Sequence, residues 1–198
     1  MREFILLASR AKTVPNLDLL NLKDAGRIDL VCRAVSSALW TSDHLRKDTI
    51  IHVVLNGPND PPKTISFFGD KLKNIDPDEI SIAKFIILAL KKGRNLNLNE
   101  EIDVSEGIKV SKKSFEKLIK ELSSKEDKQL IYLHEKGKDI RKFNFKDNVV
   151  FVLGDNLGIH KKTEKFLKNL NAEKISLGPT SLFASHCIVL VQNELDRN

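Results

Sequence analysis

With 198 residues, 41% of them hydrophobic, the chain has apolar material for one good core and too little length for two ordinary domains, so a single domain over 1–198 is expected. The formal charge is +6 and uneven: residues 1–110 carry 16 basic and 15 acidic groups, residues 111–198 carry 17 and 12. A basic C-terminal half suits a polyanionic partner through counterion release, although 25 of the 33 cations are Lys, which also make ordinary solvated surface. No apolar run approaches the roughly 20 residues that span a bilayer, and the start of the chain is too short in apolar residues and too charged for a signal peptide. Cys32 and Cys187 lie far apart with no Cys-x-x-Cys spacing and read as buried thiols, so a cytoplasmic protein without membrane contact is expected.

In chain order, residues 4–8 read as a buried strand, followed by a polar loop over 9–26 whose length suggests a function. Over 27–40 the set Ile28, Val31, Cys32, Val35, Ala38, Leu39 recurs at steps of three and four, which predicts an amphipathic helix with Arg27, Asp29 and Arg33 off its apolar stripe. Residues 50–55 and 64–68 predict two strands that pair antiparallel across an Asn-Gly-Pro-Asn-Asp-Pro-Pro turn. Asp76, Pro77 and Glu79 supply a cap, a proline at the first helical position and an acid three residues after the cap, so a helix is predicted over 76–93. Residues 94–110 are polar with short apolar interruptions. A helix follows over 111–122, then a short strand over 131–133 and a charged connector. Residues 149–153 are an unbroken apolar strand of the kind buried on both faces. Thr163, Phe166, Leu167 and Leu170 mark a basic-faced helix, 175–177 the last strand and 181–195 the last helix. Strands alternating with helices predict an α/β fold with a largely parallel sheet.

Two loops at strand ends carry most of the functional information: Leu153-Gly154-Asp155-Asn156-Leu157-Gly158 and Leu177-Gly178-Pro179-Thr180-Ser181-Leu182. In open α/β sheets ligands sit beyond such ends, and a glycine lets a flat ligand approach the backbone. Neither loop is a dinucleotide fingerprint or a P-loop: the central glycine of the first and the Gly-Lys-Ser/Thr of the second are both missing.

Together with the N-terminal Gly26-Arg27-Ile28-Asp29-Leu30-Val31-Cys32-Arg33 and the continuation Phe183-Ala184-Ser185-His186-Cys187, these loops make a chain that resembles, over essentially its whole length, the archaeal tRNA pseudouridine-54 N1-methyltransferases of the SPOUT superfamily. The resemblance implies a SPOUT-type, mostly parallel sheet flanked by helices with a C-terminal deep trefoil knot, S-adenosylmethionine held bent within the knot, tRNA as substrate, and a homodimer. Its cofactor positions fall on Leu133, Gly154, Leu177, Gly178, Pro179, Thr180, Ser181, Leu182 and Cys187. The implied reaction moves a methyl group from a sulfonium to N1 of pseudouridine, and it needs alignment of the reacting atoms and loss of the N1 proton. Asp155, next to Gly154, is the first candidate for the proton acceptor and Asp29 the second; capping of the turn by Asp155 and an i to i+4 pair of Asp29 with Arg33 are the plain structural alternatives. Arg10, Arg27, Arg33 and Arg46 are the candidate RNA contacts, since a guanidinium fork suits phosphates and stacks on bases. The five histidines show no metal-ligand spacing, so no metal is expected. A ribosomal-RNA pseudouridine N1-methyltransferase of the same superfamily and a non-catalytic RNA-binding knotted dimer are the alternative readings. A second copy is also suggested by the last helix, which is apolar over more than one face.

Overall fold

A computed structural model describes residues 1–125 and 127–197. Among these residues, eight strands form one sheet: β1 (Arg2–Ala8), β2 (Thr49–Leu55), β3 (Lys63–Phe68), β4 (Glu101–Ser105), β5 (Ile108–Ser111), β6 (Lys128–Asp139), β7 (Asn148–Gly154) and β8 (Glu173–Ser176), in the order β4-β5-β3-β2-β1-β7-β6-β8. Five α-helices among the described residues flank it: α1 (Ile28–Leu39), α2 (Glu79–Lys92), α3 (Phe115–Ser123), α4 (Lys161–Asn169) and α5 (Ala184–Leu195). The run β2-β1-β7-β6-β8 is parallel throughout, whereas β3, β5 and β4 are added antiparallel at one side.

β1 and β7 are continuous apolar runs because both of their faces are covered. Phe4 and Leu6 of β1 and Phe151 of β7 pack with α1, α2 and α5, and the Phe4 and Phe151 rings stack with centroids 5.3 Å apart. Ile5 of β1 and Val150 and Val152 of β7 face the other way and pack with α3 and with Leu167 of α4. The result is a three-layer arrangement with the parallel strands at its centre.

Local expectations shift at several elements: β6 runs over Lys128–Asp139 where the sequence predicts a strand over 131–133 and a connector, and α5 begins at Ala184 and not at 181. The cap of α2 is Asp78, whose carboxylate accepts from the N–H groups of Ile80 (3.0 Å) and Ser81 (2.9 Å); Asp76 and Pro77 precede the helix. The helix predicted from 111 begins at Phe115, because Ser111 is paired in β5 and Ser114 accepts the Lys117 N–H. The polar stretch 94–110 holds the β4–β5 hairpin, whose alternating Ile102, Val104, Ile108 and Val110 are too few to stand out in sequence but lie against the main core. The parallel connectivity has one consequence for function: the chain leaves β1, β6, β7 and β8 at the same side of the molecule.

Candidate functional site

At the end of β7 the chain reverses through residues 154–158. The turn is closed by Gly158 N–H donating to the Asp155 carbonyl (2.9 Å). The Asp155 carboxylate accepts twice, from the Leu157 N–H (2.9 Å) and from the Ser9 N–H (2.7 Å), so it caps its own turn and ties that turn to the residue after β1. A β-carbon on Gly154 would lie 2.5 Å from the Gly158 backbone, so only glycine fits this reversal. At the end of β8 the Ser176 hydroxyl bonds both the N–H and the carbonyl of Gly178 (3.1 Å each). Gly178 has a φ of 132°, and nothing lies within 4 Å of where its β-carbon would be: its backbone faces open space in a conformation that side chains disfavour.

These two reversals and the bend of β6 after Leu133 enclose a cavity of about 340 Å³. Of the positions expected to meet a cofactor, Leu133, Gly154, Leu177, Gly178, Thr180, Ser181, Leu182 and Cys187 line it, and Asp155 does too. Pro179 is exposed in the same loop without lining the space. The lining contains the carboxylates Glu135, Asp155 and Glu164 and neither Lys nor Arg, which gives the cavity a negative field suited to a cationic ligand. Burial pushes the Cys187 thiol up, so it is a neutral hydrophobe in the wall and not a thiolate.

The chain matches, over residues 1–198, the protein family described as "Putative SAM-dependent RNA methyltransferase". The chain belongs to this RNA methyltransferase family. It is 46% identical over 203 residues to the tRNA (pseudouridine(54)-N(1))-methyltransferase of Methanococcus maripaludis strain C5, covering 100% of this chain and 99% of that protein. It is 41% identical to the enzyme of the same name from Methanocaldococcus jannaschii (100% and 97% covered) and 44% identical to that of Thermococcus onnurineus (99% and 97% covered). The crystal structure of Archaeoglobus fulgidus Nep1 bound to S-adenosylhomocysteine superposes with a TM-score of 0.64, covering 99% of this chain and 97% of that one, at 15% identity, which is a likeness of fold.

Within this member of the methyltransferase family the remaining expected residues scatter. Asp29 is 2% exposed despite lying off the apolar stripe of α1, and its main partner is Arg27 (2.9 and 3.0 Å, both oxygens); Arg33 is farther, at 3.5 Å. Burial raises the Asp29 carboxyl, but Arg27 and Arg33 outweigh it and hold the group below the usual range. Arg27 lines a narrow cleft with Asp155, Asn156 and Phe183 that adjoins the cavity, so Asp29 reaches the site only through Arg27. Arg33 is engaged by Glu79 (2.7 Å). Arg10 is exposed in the loop after β1 and makes no ion pair among the described residues. Arg46 is bidentate to Asp196 (2.9 and 2.6 Å), just past α5 and roughly 18 Å of helix away from the cavity end.

Sequence reasoning missed Tyr132, His134 and Glu164 in the wall. The Tyr132 hydroxyl donates to Glu164 (3.3 Å), and His134 Nε2 lies 3.8 Å from the same carboxylate. Tyr132 and His134 flank Leu133 and were findable as neighbours of a strand end; nothing in the sequence links them to Glu164 on α4. Among the described residues no group of three or more His, Cys, Asp or Glu is placed to hold a metal ion, and no helix is long and apolar enough to cross a membrane.

Proposed function

We propose that this chain is an S-adenosylmethionine-dependent methyltransferase that methylates N1 of pseudouridine 54 in the T-loop of tRNA. One observation carries the reading: the ends of three parallel strands meet at a single acidic, glycine-lined cavity in a chain 46% identical, end to end, to a tRNA (pseudouridine(54)-N(1))-methyltransferase. The residues fit the donor. A space of about 340 Å³ lies within the usual range for small-ligand pockets, Gly178 leaves the backbone open to a flat ring, and a lining with three carboxylates and no cation suits a sulfonium.

Bound S-adenosylmethionine supplies a methyl group that is already electrophilic. The backbone groups of residues 177–182 would hold its adenine by hydrogen bonds, with Leu133, Leu157, Leu182 and Cys187 supplying an uncharged apolar lining. Glu135, Asp155 and Glu164 would favour its positive centre by their field, Glu164 least because Lys174 lies 3.9 Å from it. Proton removal from N1 is assigned to Asp155, the carboxylate that borders both the cavity and the adjoining cleft. Asp29 fixes Arg27 at that cleft, where Arg27 would meet the RNA; Arg10, Arg33 and Arg46 remain RNA contacts of the same proposal, outside the lining of that cleft.

The finer architecture belongs to the same proposal: a single SPOUT methyltransferase domain over 1–198, a deep trefoil knot, a homodimer and a cytoplasmic location, with no metal required. The knot is supported by β6, where Leu133 and Lys138 both stand opposite Ile175 of β8 in parallel pairing, so residues 134–137 are taken up as an irregularity against the strand that leads into the second loop. The homodimer is supported by Leu182, Phe183, Val189 and Leu190, all exposed on α5 and the loop before it.

The test is methyl transfer to matched tRNA transcripts carrying uridine or pseudouridine at position 54. Methylation of the pseudouridine transcript alone is expected. Equal activity on uridine, or none on either with S-adenosylmethionine bound, refutes the substrate.

A further inference from the structure

Resting on that reading, we propose that the lysine face of α4, completed by Lys174 of β8, is the surface that holds the phosphate backbone of the RNA beside the cavity. Lys161, Lys165 and Lys168 recur at steps of four and three, so they share one side of the helix and span roughly 10 Å along it. With Lys174, Tyr132 and Glu164 they line an open trough of about 500 Å³. Tyr132 and Glu164 also line the donor cavity, so trough and cavity are two sides of one wall. RNA backbone lying in the trough is thereby brought next to the point of methyl transfer.

The pairing of the charges favours these lysines over Arg27, Arg33 and Arg46 as phosphate anchors. Arg27, Arg33 and Arg46 each sit in an ion pair, and a phosphate must compete with the carboxylate already there. Lys161, Lys165 and Lys168 are exposed and make no ion pair among the described residues. The single acid in the trough, Glu164, is engaged by the Tyr132 hydroxyl, by His134 and, at 3.9 Å, by Lys174. Each free exposed lysine that neutralises a phosphate releases cations condensed on the nucleic acid, which is the main source of sequence-independent affinity.

The same composition argues against a protein occupant. The apolar residues of the trough are Leu167, which is buried, and Ala172, so it offers no pocket for the aromatic or aliphatic anchor that protein interfaces centre on. A lysine on β8, the last strand of the sheet, also discourages edge-to-edge pairing, but three more on the adjoining helix exceed that need.

The experiment measures tRNA affinity of the full chain against salt for the parent, for Lys161→Ala/Lys165→Ala/Lys168→Ala, for the same triple to Arg, and for Lys71→Ala/Lys73→Ala/Lys109→Ala. The last removes three charges near the opposite side of the sheet. The alanine triple on α4 is expected to flatten the slope of log affinity against log salt by about 2 to 3 and to weaken binding roughly tenfold or more at low salt. Its loss appears in KM for tRNA, with S-adenosylmethionine affinity by calorimetry as in the parent. The arginine triple keeps the slope, and the distant triple changes it little. An unchanged slope and affinity in the α4 alanine triple, or an equal loss in the distant one, overturns the proposal. Methylation by the parent is read separately: a parent that methylates pseudouridine 54 while the α4 triple binds tRNA normally sinks this surface alone, and a parent that binds tRNA through these lysines without methylating it sinks the enzymatic reading alone.

Discussion

Replacing Asp155 by Asn changes one atom of a side chain that ties two walls of the cavity together. Its carboxylate takes the Ser9 N–H at 2.7 Å and the Leu157 N–H at 2.9 Å, one with each oxygen. The amide keeps a single acceptor oxygen, so one charge-assisted bond is lost and an NH₂ is turned toward an N–H. Hydrogen bonds to charged groups contribute about 1.5–3 kcal/mol, which makes the expected loss about 2 kcal/mol. For a chain of this size that lowers Tm by about 4–8 °C. Calorimetry of the ligand-free protein reads the loss. Because the turn is also the wall of the donor cavity, the gain in Tm on adding saturating S-adenosylmethionine shrinks as well. An Asp155→Asn protein that melts with the parent and binds S-adenosylmethionine equally well refutes the tie. The proton-accepting role is read independently, as a fall in kcat of about a hundredfold or more at temperatures where both proteins are folded, with a flattened pH profile.

Acid stability is expected to depend on Glu3. Burial raises this carboxyl, yet His52 and Lys128 overcome the penalty and bring it from its ordinary 4.5 to about 2. Its folded value lies below the unfolded one, so the stabilisation is complete above about pH 4.5 and is lost as pH falls toward 2, in all about 3 kcal/mol. Urea melts of the parent and Glu3→Gln at pH 6 and pH 3.5 check this: the difference between the two proteins must narrow at the lower pH. Gly154→Ala places a β-carbon 2.5 Å from the Gly158 backbone and is expected to weaken S-adenosylmethionine binding by tenfold or more in titration calorimetry; unchanged affinity contradicts the close approach. Asp196→Ala releases Arg2 and Arg46 from the end of α5 and should lower stability by about 1 kcal/mol without altering S-adenosylmethionine affinity. Cys187, a half-buried thiol raised by burial, is expected to react slowly with iodoacetamide at pH 7 and more slowly when S-adenosylmethionine is present; mass spectrometry of the alkylated peptide reads both rates.

What could be read from the residues was whatever depends on near neighbours in the chain. The period of α1 marked it as a helix, the unbroken apolar run of β7 marked it as a strand covered on both sides, and the glycines at 154 and 178 marked reversals that need bare backbone. The starts of α2 and α3 moved by two to four residues because Asp76 and Asp78, or Ser111 and Ser114, offer equivalent caps locally; Asp78 takes the free N–H groups of α2, and pairing of Ser111 with β3 leaves Ser114 as the cap of α3. The β4–β5 hairpin stayed hidden because strands of four and five residues carry too short an alternation.

The site itself was half legible. Leu133, Gly154 and Leu177 lie far apart in the chain, and only the parallel order β7-β6-β8 brings their ends to one side. Tertiary structure decided which charges are free: Arg33 is engaged by Glu79 of α2, Arg46 is claimed by Asp196 from the far end of the chain, and Lys161, Lys165 and Lys168 make no ion pair among the described residues. Residue type and spacing say what a side chain can do, but pairs such as Arg46 with Asp196, 150 residues away, and Lys128 with Glu3, 125 residues away, exist only once the sheet has chosen its strand order.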